Sequence, residues 1–477
     1  MKALRIVLVA LVGLVALLFL SEGQPVDAAT ITVNTTDDEL NADGDCSLRE
    51  AIQAANTDAA VDTCPAGSGA DTITLLAGTY TLSIAGAGED ANATGDLDIT
   101  GDLTITGAGA ATTIIDGAHL DRVLQVVGVT VQISGVTIRN GSSDGYGGGI
   151  CNYGTLILNS STISGNVAAR GGGIYNAGML TLNTSSVNGN TAAANIGGGI
   201  FNEGGTLILN SSSVSGNTNG GIVHFGGTLT LNSSTVSGNT NFRGIQIIQG
   251  TATLTNSTVS GNTINGSSAG ISNGGTLTLT NSTVSGNSAR DSGGGIGNGR
   301  TLTLNSSTVS GNSAGVGGGI NNDSHATSTL KNTIVADNST DCAGSITSAG
   351  HNLSSDGTCS FTAPGDLMNT DPVLAPLANN GGPTQTHALL AGSPAIEVGS
   401  PDCPPPATDQ RGVGRPQGAA CDIGAFEAPL PVGGIAQLPD VSHSPARNYG
   451  ALAGAALTAL VAVTAAAWYA RRRFSRG

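Results

Sequence analysis

Side chains able to perform acid–base chemistry are scarce along the centre of this chain of 477 residues. Between positions 145 and 326 the acidic residues are Glu203, Asp291 and Asp323. Hydrolysis of a glycosidic bond needs two flanking carboxyl groups, and polysaccharide lyases combine clustered acids for calcium with a basic residue. The central segment offers neither set. We therefore predict that it is not catalytic, which leaves the irregular ends of the chain as the places for a catalytic group.

One metal-ligand pattern lies near the N-terminus. Oxygen-bearing side chains follow the spacing of an EF-hand calcium loop, although glutamate stands at the first position, where aspartate is usual. The glutamate at the end of this pattern also fits a helix-capping box with Ser47, so a calcium site and a structural cap are alternatives. No other cofactor is predicted. The candidate ligands are Glu39, Asn41, Asp43, Asp45 and Glu50.

The central segment is repetitive. A twelve-residue phrase, TLTLNSSTVSGN in its most regular form, occurs eight times at spacings of 22–27 residues. A period of this length is typical of a solenoid, in which each unit buries its apolar face by stacking on its neighbours. The phrases begin at Thr155, Met179, Thr206, Thr228, Thr251, Thr276, Thr301 and Thr327.

Apolar and polar residues alternate within each phrase, which indicates strands rather than helices. A recurring GGGI sequence begins another strand, whose isoleucines are expected to form one inward column, followed two residues later by a column of asparagines. Identical residues stacked on successive parallel strands build such ladders. The sequence therefore predicts an all-β fold, a right-handed parallel β-helix over residues 71–362. Its N-terminal end is expected to be capped by a short helix over Ser47–Asn56.

Two outward-facing sets of residues are candidate binding surfaces. Paired threonines form a Thr-x-Thr file over five coils, which resembles the ice-binding face of antifreeze proteins and is also ordinary for exposed strands. The file comprises Thr228, Thr230, Thr251, Thr253, Thr276, Thr278, Thr301, Thr303, Thr327 and Thr329.

The column after the inward isoleucines contains Tyr175, Phe201 and Val223 on consecutive coils. We expect these three side chains to form an exposed apolar strip that contacts a glycan or a protein. A loop from a neighbouring coil that covers the strip is the alternative.

The two ends of the chain indicate export and anchoring. Residues 1–28 read as a signal peptide, with basic residues before an apolar run and small residues for cleavage. Residues 450–470 are long and apolar enough for a transmembrane or sorting helix, and the basic tail 471–477 is expected to stay in the cytoplasm. Residues 429–449, rich in Pro, Gly and Ser, indicate a flexible stalk.

The cysteines fit an exported protein, because six of the seven fall as three close pairs outside the repeats. Local pairing is the simplest expectation, although spacing alone does not fix connectivity. Cys151 is left over as a free thiol. The predicted pairs are Cys46 with Cys64, Cys342 with Cys359, and Cys403 with Cys421.

Two stretches resemble known families. Ile31–Asn56 contains CSLREA at positions 46–51 and resembles the CSLREA domain, which places an N-terminal cap at residues 29–70. Asp371–Glu427 is similar to the choice-of-anchor Q domain, which places a C-terminal cap at residues 363–428. The GGGI and VSGN phrases resemble, more loosely, polymorphic outer-membrane protein repeats. These resemblances imply an exported bacterial β-helix protein and carry no established activity.

The net charge of −16 and the isoelectric point near 4.5 argue against binding of nucleic acid. We therefore predict a non-enzymatic cell-surface protein used for structure or adhesion. Its expected partners are the membrane, through the C-terminal helix, and an extracellular glycan or protein. A polysaccharide-binding or polysaccharide-degrading protein is the first alternative, and a protein that binds ice or another crystalline surface is the second.

Overall fold

The computed structural model describes residues 28–193 and 196–429. Within these ranges the chain forms a parallel β-solenoid of the right-handed type, as predicted, with one short helix. The predicted signal peptide up to residue 27, the stalk from residue 430, the transmembrane helix and the basic tail lie outside the described residues. In the described part, no helix combines the length and apolar character needed to cross a membrane.

The first sheet has 22 strands in two columns, and all of its pairings are parallel. Ile222–Asn232 and Ile245–Thr255 are long strands that belong to both columns. The isoleucine column comprises Leu97–Ile99, Leu124–Val126, Ile150–Asn152, Ile174–Asn176, Ile200–Glu203, Ile271–Asn273, Ile296–Asn298, Ile320–Asn322 and Cys342–Ala343. The leucine column comprises Thr30–Thr32, Asp71–Thr74, Leu103–Thr106, Thr130–Ser134, Thr155–Asn159, Met179–Asn183, Thr206–Asn210, Thr276–Thr280, Thr301–Asn305, Thr327–Lys331 and Thr347–Ser348.

The second sheet has 12 parallel strands, one for each coil. They are Gly78–Thr81, Thr113–Asp116, Thr137–Arg139, Thr162–Ser164, Ser186–Asn188, Ser213–Ser215, Thr235–Ser237, Thr258–Ser260, Thr283–Ser285, Thr308–Ser310, Ile334–Ala336 and Leu353–Ser354. Two small sheets complete the coils. The first contains the strands Ser142–Tyr146, Val167–Arg170 and Thr191–Ala192, and the second contains Thr263–Ile264 and Ser288–Ala289.

Aliphatic side chains fill the interior in register. Ile200 pairs with Ile174 on one side and with Ile222 on the other, and all three are fully buried. The leucines of the other column stack in the same way, as Leu207 does on Leu180 and Leu229. Because each coil covers the apolar face of the next, the interior forms one continuous hydrophobic core.

A buried column of asparagine amides runs beside this core, and we name it the inner amide column. In each VSGN phrase a glycine with positive φ, such as Gly238 at 62°, turns the chain and directs the next asparagine inward. Asn217 Nδ2 donates to Asn239 Oδ1 at 2.9 Å, and the same oxygen accepts from the Asn217 backbone N–H at 3.0 Å. The column comprises Asn166, Asn190, Asn217, Asn239, Asn262, Asn287, Asn312 and Asn338.

The predicted asparagine ladder after the isoleucines is confirmed, with one interruption. Asn152 Nδ2 donates to Asn176 Oδ1 at 2.6 Å, and Asn298 Nδ2 donates to Asn322 Oδ1 at 2.7 Å. On the two coils after Asn202 the position is taken by buried His224 and then by buried Ile247. A second set of amides therefore satisfies buried polar groups along the stack.

The predicted N-terminal helix spans Leu48–Thr57 and begins at the N-cap Ser47. The Ser47 side chain accepts from the Glu50 backbone N–H, and Glu50 Oε2 accepts from the Ser47 backbone N–H at 3.0 Å, so the capping box is confirmed. Arg49 is fully buried. Its Nε donates to Asp38 Oδ1 at 2.7 Å, and its Nη2 donates to the Gly95 carbonyl at 2.9 Å. These hydrogen bonds attach the helix to the loop before the strand Leu97–Ile99.

The three predicted disulfides are present, with S–S distances of 1.88–1.96 Å. They join Cys46 to Cys64, Cys342 to Cys359 and Cys403 to Cys421. Cys151 is buried and free, as expected.

The segment expected as a C-terminal cap turns back along the solenoid and packs on the outer face of the second sheet. Thr258 Oγ1 donates to the Gln385 carbonyl at 2.7 Å, and Thr283 Oγ1 donates to Gln410 Oε1 at 2.6 Å. The Ala425 backbone N–H donates to a threonine of the next coil. Outward hydroxyls of the later coils are therefore covered, while those of the earlier coils are not.

Substitution Asn217→Ala should lower the free energy of unfolding by about 2 kcal/mol, because buried partners on both adjacent coils lose their hydrogen bonds. Urea denaturation followed by circular dichroism measures this change. The matched control is Asn188→Ala on the preceding coil, since Asn188 is only half-buried and makes one side-chain bond. An equal loss in both variants would contradict the structural role of the inner amide column.

Candidate functional site

The prediction that Tyr175, Phe201 and Val223 form an exposed strip is wrong. The three side chains stack in register but are buried, with exposures of 6%, 5% and 2%. They are buried because side chains from outside the column cover them. Together with Cys151 they form a separate apolar cluster, and Ile196 and Phe242 pack against it. They are therefore part of the packing and are not a contact surface.

The predicted calcium ligands divide into two groups. Both oxygens of Glu50 are taken, because they accept from the backbone N–H groups of Ser47 and Asn41. Carboxylate oxygens of Glu39, Asp43 and Asp45 lie within 4.8 Å of one another. Desolvation and the charges of its acidic neighbours raise the pKa of Glu39. The EF-hand arrangement therefore lacks its final glutamate, and calcium binding stays a prediction that rests on the other acids.

The ten threonines of the predicted file are in register on five consecutive coils. The first threonine of each pair is exposed, and the second is half-buried. The geometry of the file thus agrees with the sequence, while its ligand is a prediction.

A groove that sequence reasoning missed lies over the first coils. It has a volume of about 570 Å³, and we name it the N-terminal groove. Its walls come from three places in the chain: the loop at 87–90, the segment 120–125 and the strand at 142–146, with Tyr153 beside them. Its lining is mostly polar.

Tyrosines stand at one side of the groove. Tyr146 and Tyr153 are 37% and 44% exposed, and their ring centroids lie 4.5 Å and 5.8 Å from that of buried Tyr175. Tyr175 Oη donates to Glu203 Oε2 at 2.8 Å, which fixes the ring beneath them. The chain contains only six tyrosines. Half of them therefore meet at this site.

Carboxylates also line the groove. Asp121 is only 6% exposed, and its Oδ1 accepts from the Arg122 backbone N–H at 2.7 Å. Its Oδ2 is buried and has no hydrogen-bond partner among the described residues. Asp90 Oδ1 accepts from Gln125 Nε2 at 3.1 Å, and Asp144 is exposed. Of the carboxylates that line the groove, those of Asp90 and Asp144 are thus the exposed ones.

A buried ion pair lies behind the groove wall. Arg122 Nε lies 2.7 Å from Asp96 Oδ2, with the carboxylate almost inaccessible. Burial raises the pKa of Asp96 to about 7, against the opposing effect of Arg122, and burial raises the pKa of Asp98 to about 6. Burial also raises the pKa of Cys151, whose thiol lies beside Arg122.

The N-terminal cap positions the loop that forms one wall. Arg49 holds the carbonyls of Gly95 and Asp96, and Asn92 Nδ2 donates to the Arg49 carbonyl at 2.9 Å. Glu89 accepts from the Ala93 and Thr94 backbone N–H groups and so closes the loop upon itself. The shape of the groove therefore depends on the cap as well as on the coils.

A sequence signal for this site existed but was weak. Asp96 and Asp98 alternate along one strand-like stretch, and Asp121 and Arg122 are adjacent, in the irregular region that precedes the clean repeats. The register that brings Asp98 beside Gln125, and Gln125 beside Cys151, follows from coils of unequal length. That register is not readable from the spacing of the charged residues.

The chain matches no protein-family model and no curated protein sequence. Among solved structures, pectate lyase Pel9A is 15% identical, with a TM-score of 0.38, over 84% of this chain and 97% of that one. A mannuronic acid specific polysaccharide family 6 lyase from the human gut microbiota is 11% identical, with a TM-score of 0.30, over 63% and 86%. Neither likeness transfers an activity to this chain.

The buried acids make the stability depend on pH. A carboxyl group whose pKa is raised on folding, as that of Asp96 is from 3.8 to about 7, stabilises the fold fully below its unfolded value. This contribution is lost as the pH rises through about 7. Urea denaturation should therefore show stability falling between about pH 4 and pH 7, and Asp96→Asn should make this fall shallower.

Exposed Asp323→Asn is the control for this experiment, and its pH profile should match that of the unmodified protein. A profile of Asp96→Asn as steep as that of the control would show that Asp96 ionises normally.

Proposed function

We propose that this chain is an exported protein that binds polysaccharide in the N-terminal groove. The observation that carries the proposal is the pair of accessible tyrosines, Tyr146 and Tyr153, on a groove whose other walls are polar. A sugar ring presents C–H groups on its faces, which pack on aromatic rings, and hydroxyls at its rim, which bond to carboxylates and amides. The groove offers both kinds of contact.

The location outside the cell is part of the proposal. Three disulfides tie the irregular parts of the chain, and such bonds persist in oxidising compartments. The predicted signal peptide, the C-terminal anchor and the resemblance to the CSLREA and choice-of-anchor Q families point the same way. In this proposal the long repeat is the scaffold of a surface protein, and adhesion is the consequence of glycan binding at one end.

Cleavage of the bound glycan is the alternative function for the same groove. A carboxyl group with a pKa of about 7, as that of Asp96, has the property required of a general acid. Its side chain, however, is buried behind Arg122 and does not face the groove. The geometry therefore supports binding better than catalysis, and an assay for new reducing or unsaturated sugar ends distinguishes the two.

Substitution Tyr153→Ala should weaken glycan binding by roughly tenfold, because an aromatic contact contributes about 1–1.5 kcal/mol. A glycan array of the full-length protein identifies a ligand, and titration calorimetry with that ligand measures the loss.

Phe225→Ala provides the matched control, since Phe225 is 41% exposed and lies on a later coil outside the groove. Unchanged affinity of Tyr153→Ala, or an equal loss in the control, would refute the groove as the binding site. Failure of the full-length protein to bind any glycan would refute the proposed function itself.

The threonine file supports a second candidate function, adhesion to ice or another crystalline surface. Its supporting observation is the register of ten threonines on five coils, spaced by the roughly 4.8 Å of neighbouring strands. Only a regular surface matches a regular array of this kind.

For this second candidate, the purified protein should show thermal hysteresis, and Thr278→Lys at the centre of the file should abolish it because the charged side chain breaks the flat surface. The absence of thermal hysteresis in the unmodified protein would remove ice as the ligand.

A further inference from the structure

The charges and hydrogen-bonding groups of the N-terminal groove restrict the kind of glycan that it accepts. Three carboxylates, those of Asp90, Asp121 and Asp144, line the groove together with one cationic side chain, Arg122, and the Arg170 guanidinium lies 5.6 Å from the ring of Tyr146. The Arg122 guanidinium already lies 2.7 Å from the Asp96 carboxylate behind it. A ligand in the groove therefore meets an excess of negative charge.

The polar atoms lead to the same restriction. Asp90 and Asp144 are exposed and line the groove, whereas the Oδ2 atom of Asp121 is buried beside Gly95 and out of reach of a ligand. A carboxylate only accepts hydrogen bonds, so the two exposed carboxylates need donors from the ligand. Sugar hydroxyls donate, whereas the carboxylate of a uronic acid does not and is repelled.

Resting on the proposed function, we infer that the groove selects polysaccharides without acidic groups and excludes uronic-acid polymers. The tyrosines pack on the faces of neutral sugar rings, and the exposed carboxylates of Asp90 and Asp144 accept from ring hydroxyls and repel acidic glycans. The selected class thus differs from the uronate polymers named for the two enzymes of similar architecture.

The test compares two groups of oligosaccharides on the full-length protein by titration calorimetry. The neutral group contains gluco-, manno-, xylo- and N-acetylchito-oligosaccharides, and the acidic group contains oligogalacturonate and oligomannuronate. Each is titrated with EDTA and with added Ca²⁺, because a calcium ion can bridge two carboxylates. The inference expects binding of a neutral oligosaccharide and no binding of an acidic one under either condition.

Binding of an acidic oligosaccharide as tightly as the best neutral one, with or without Ca²⁺, overturns the inference but leaves polysaccharide binding intact. Binding of no oligosaccharide overturns both. The two failures are therefore distinguishable.

A variant that lacks two of the groove's carboxylates provides a second test. Asp90→Asn with Asp144→Asn keeps the side-chain shapes and removes two exposed carboxylates from the groove. It should gain measurable affinity for oligogalacturonate at low ionic strength. Asp323→Asn, an exposed carboxylate on a late coil, is the control and should gain none. The absence of a gain in the double variant contradicts exclusion by charge.

Discussion

The hydrogen bond between successive asparagine amides in the inner amide column is the contact on which the solenoid depends. Each amide oxygen accepts two N–H groups from the preceding coil, and each amide nitrogen donates to the following one. A coil one residue out of register would leave these groups buried and unpaired, at a cost of a few kcal/mol for each coil. The column therefore fixes the register that also aligns the isoleucines, the leucines and the outward threonines.

The N-terminal groove arises where this regularity is absent. The column that holds Tyr175 and Phe201 on the regular coils holds Asp98, Gln125 and Cys151 on the first ones. Loops of unequal length around these coils leave an open space, and Arg49 from the N-terminal helix holds one of its walls. Polar and titratable side chains therefore occur at the N-terminal end of the solenoid. The coils there do not carry the identical stacked residues of the regular repeats.

Much of the fold was predictable because each element is local or repeated. Alternation around Leu229, the capping box of Ser47 and Glu50, and the three cysteine pairs all follow from spacing along the chain. The sequence left the burial of Tyr175 and Phe201 as one of two alternatives, because the covering side chains come from other coils. The groove was missed for the same reason, as Asp121 and Tyr153 meet only through register. The return of the C-terminal segment along the second sheet depends on contacts more than 100 residues apart.

The C-terminal segment covers only the later coils of the second sheet, and the groove occupies only the first ones. The coils between Glu203, which holds Tyr175 beneath the groove, and Thr258, which contacts the C-terminal segment, repeat the same stacking contacts. Gain or loss of one repeat would move the two functional ends relative to each other by about 4.8 Å and leave each intact. The number of repeats therefore sets the distance between the groove and the C-terminal segment, and it can change without altering either one.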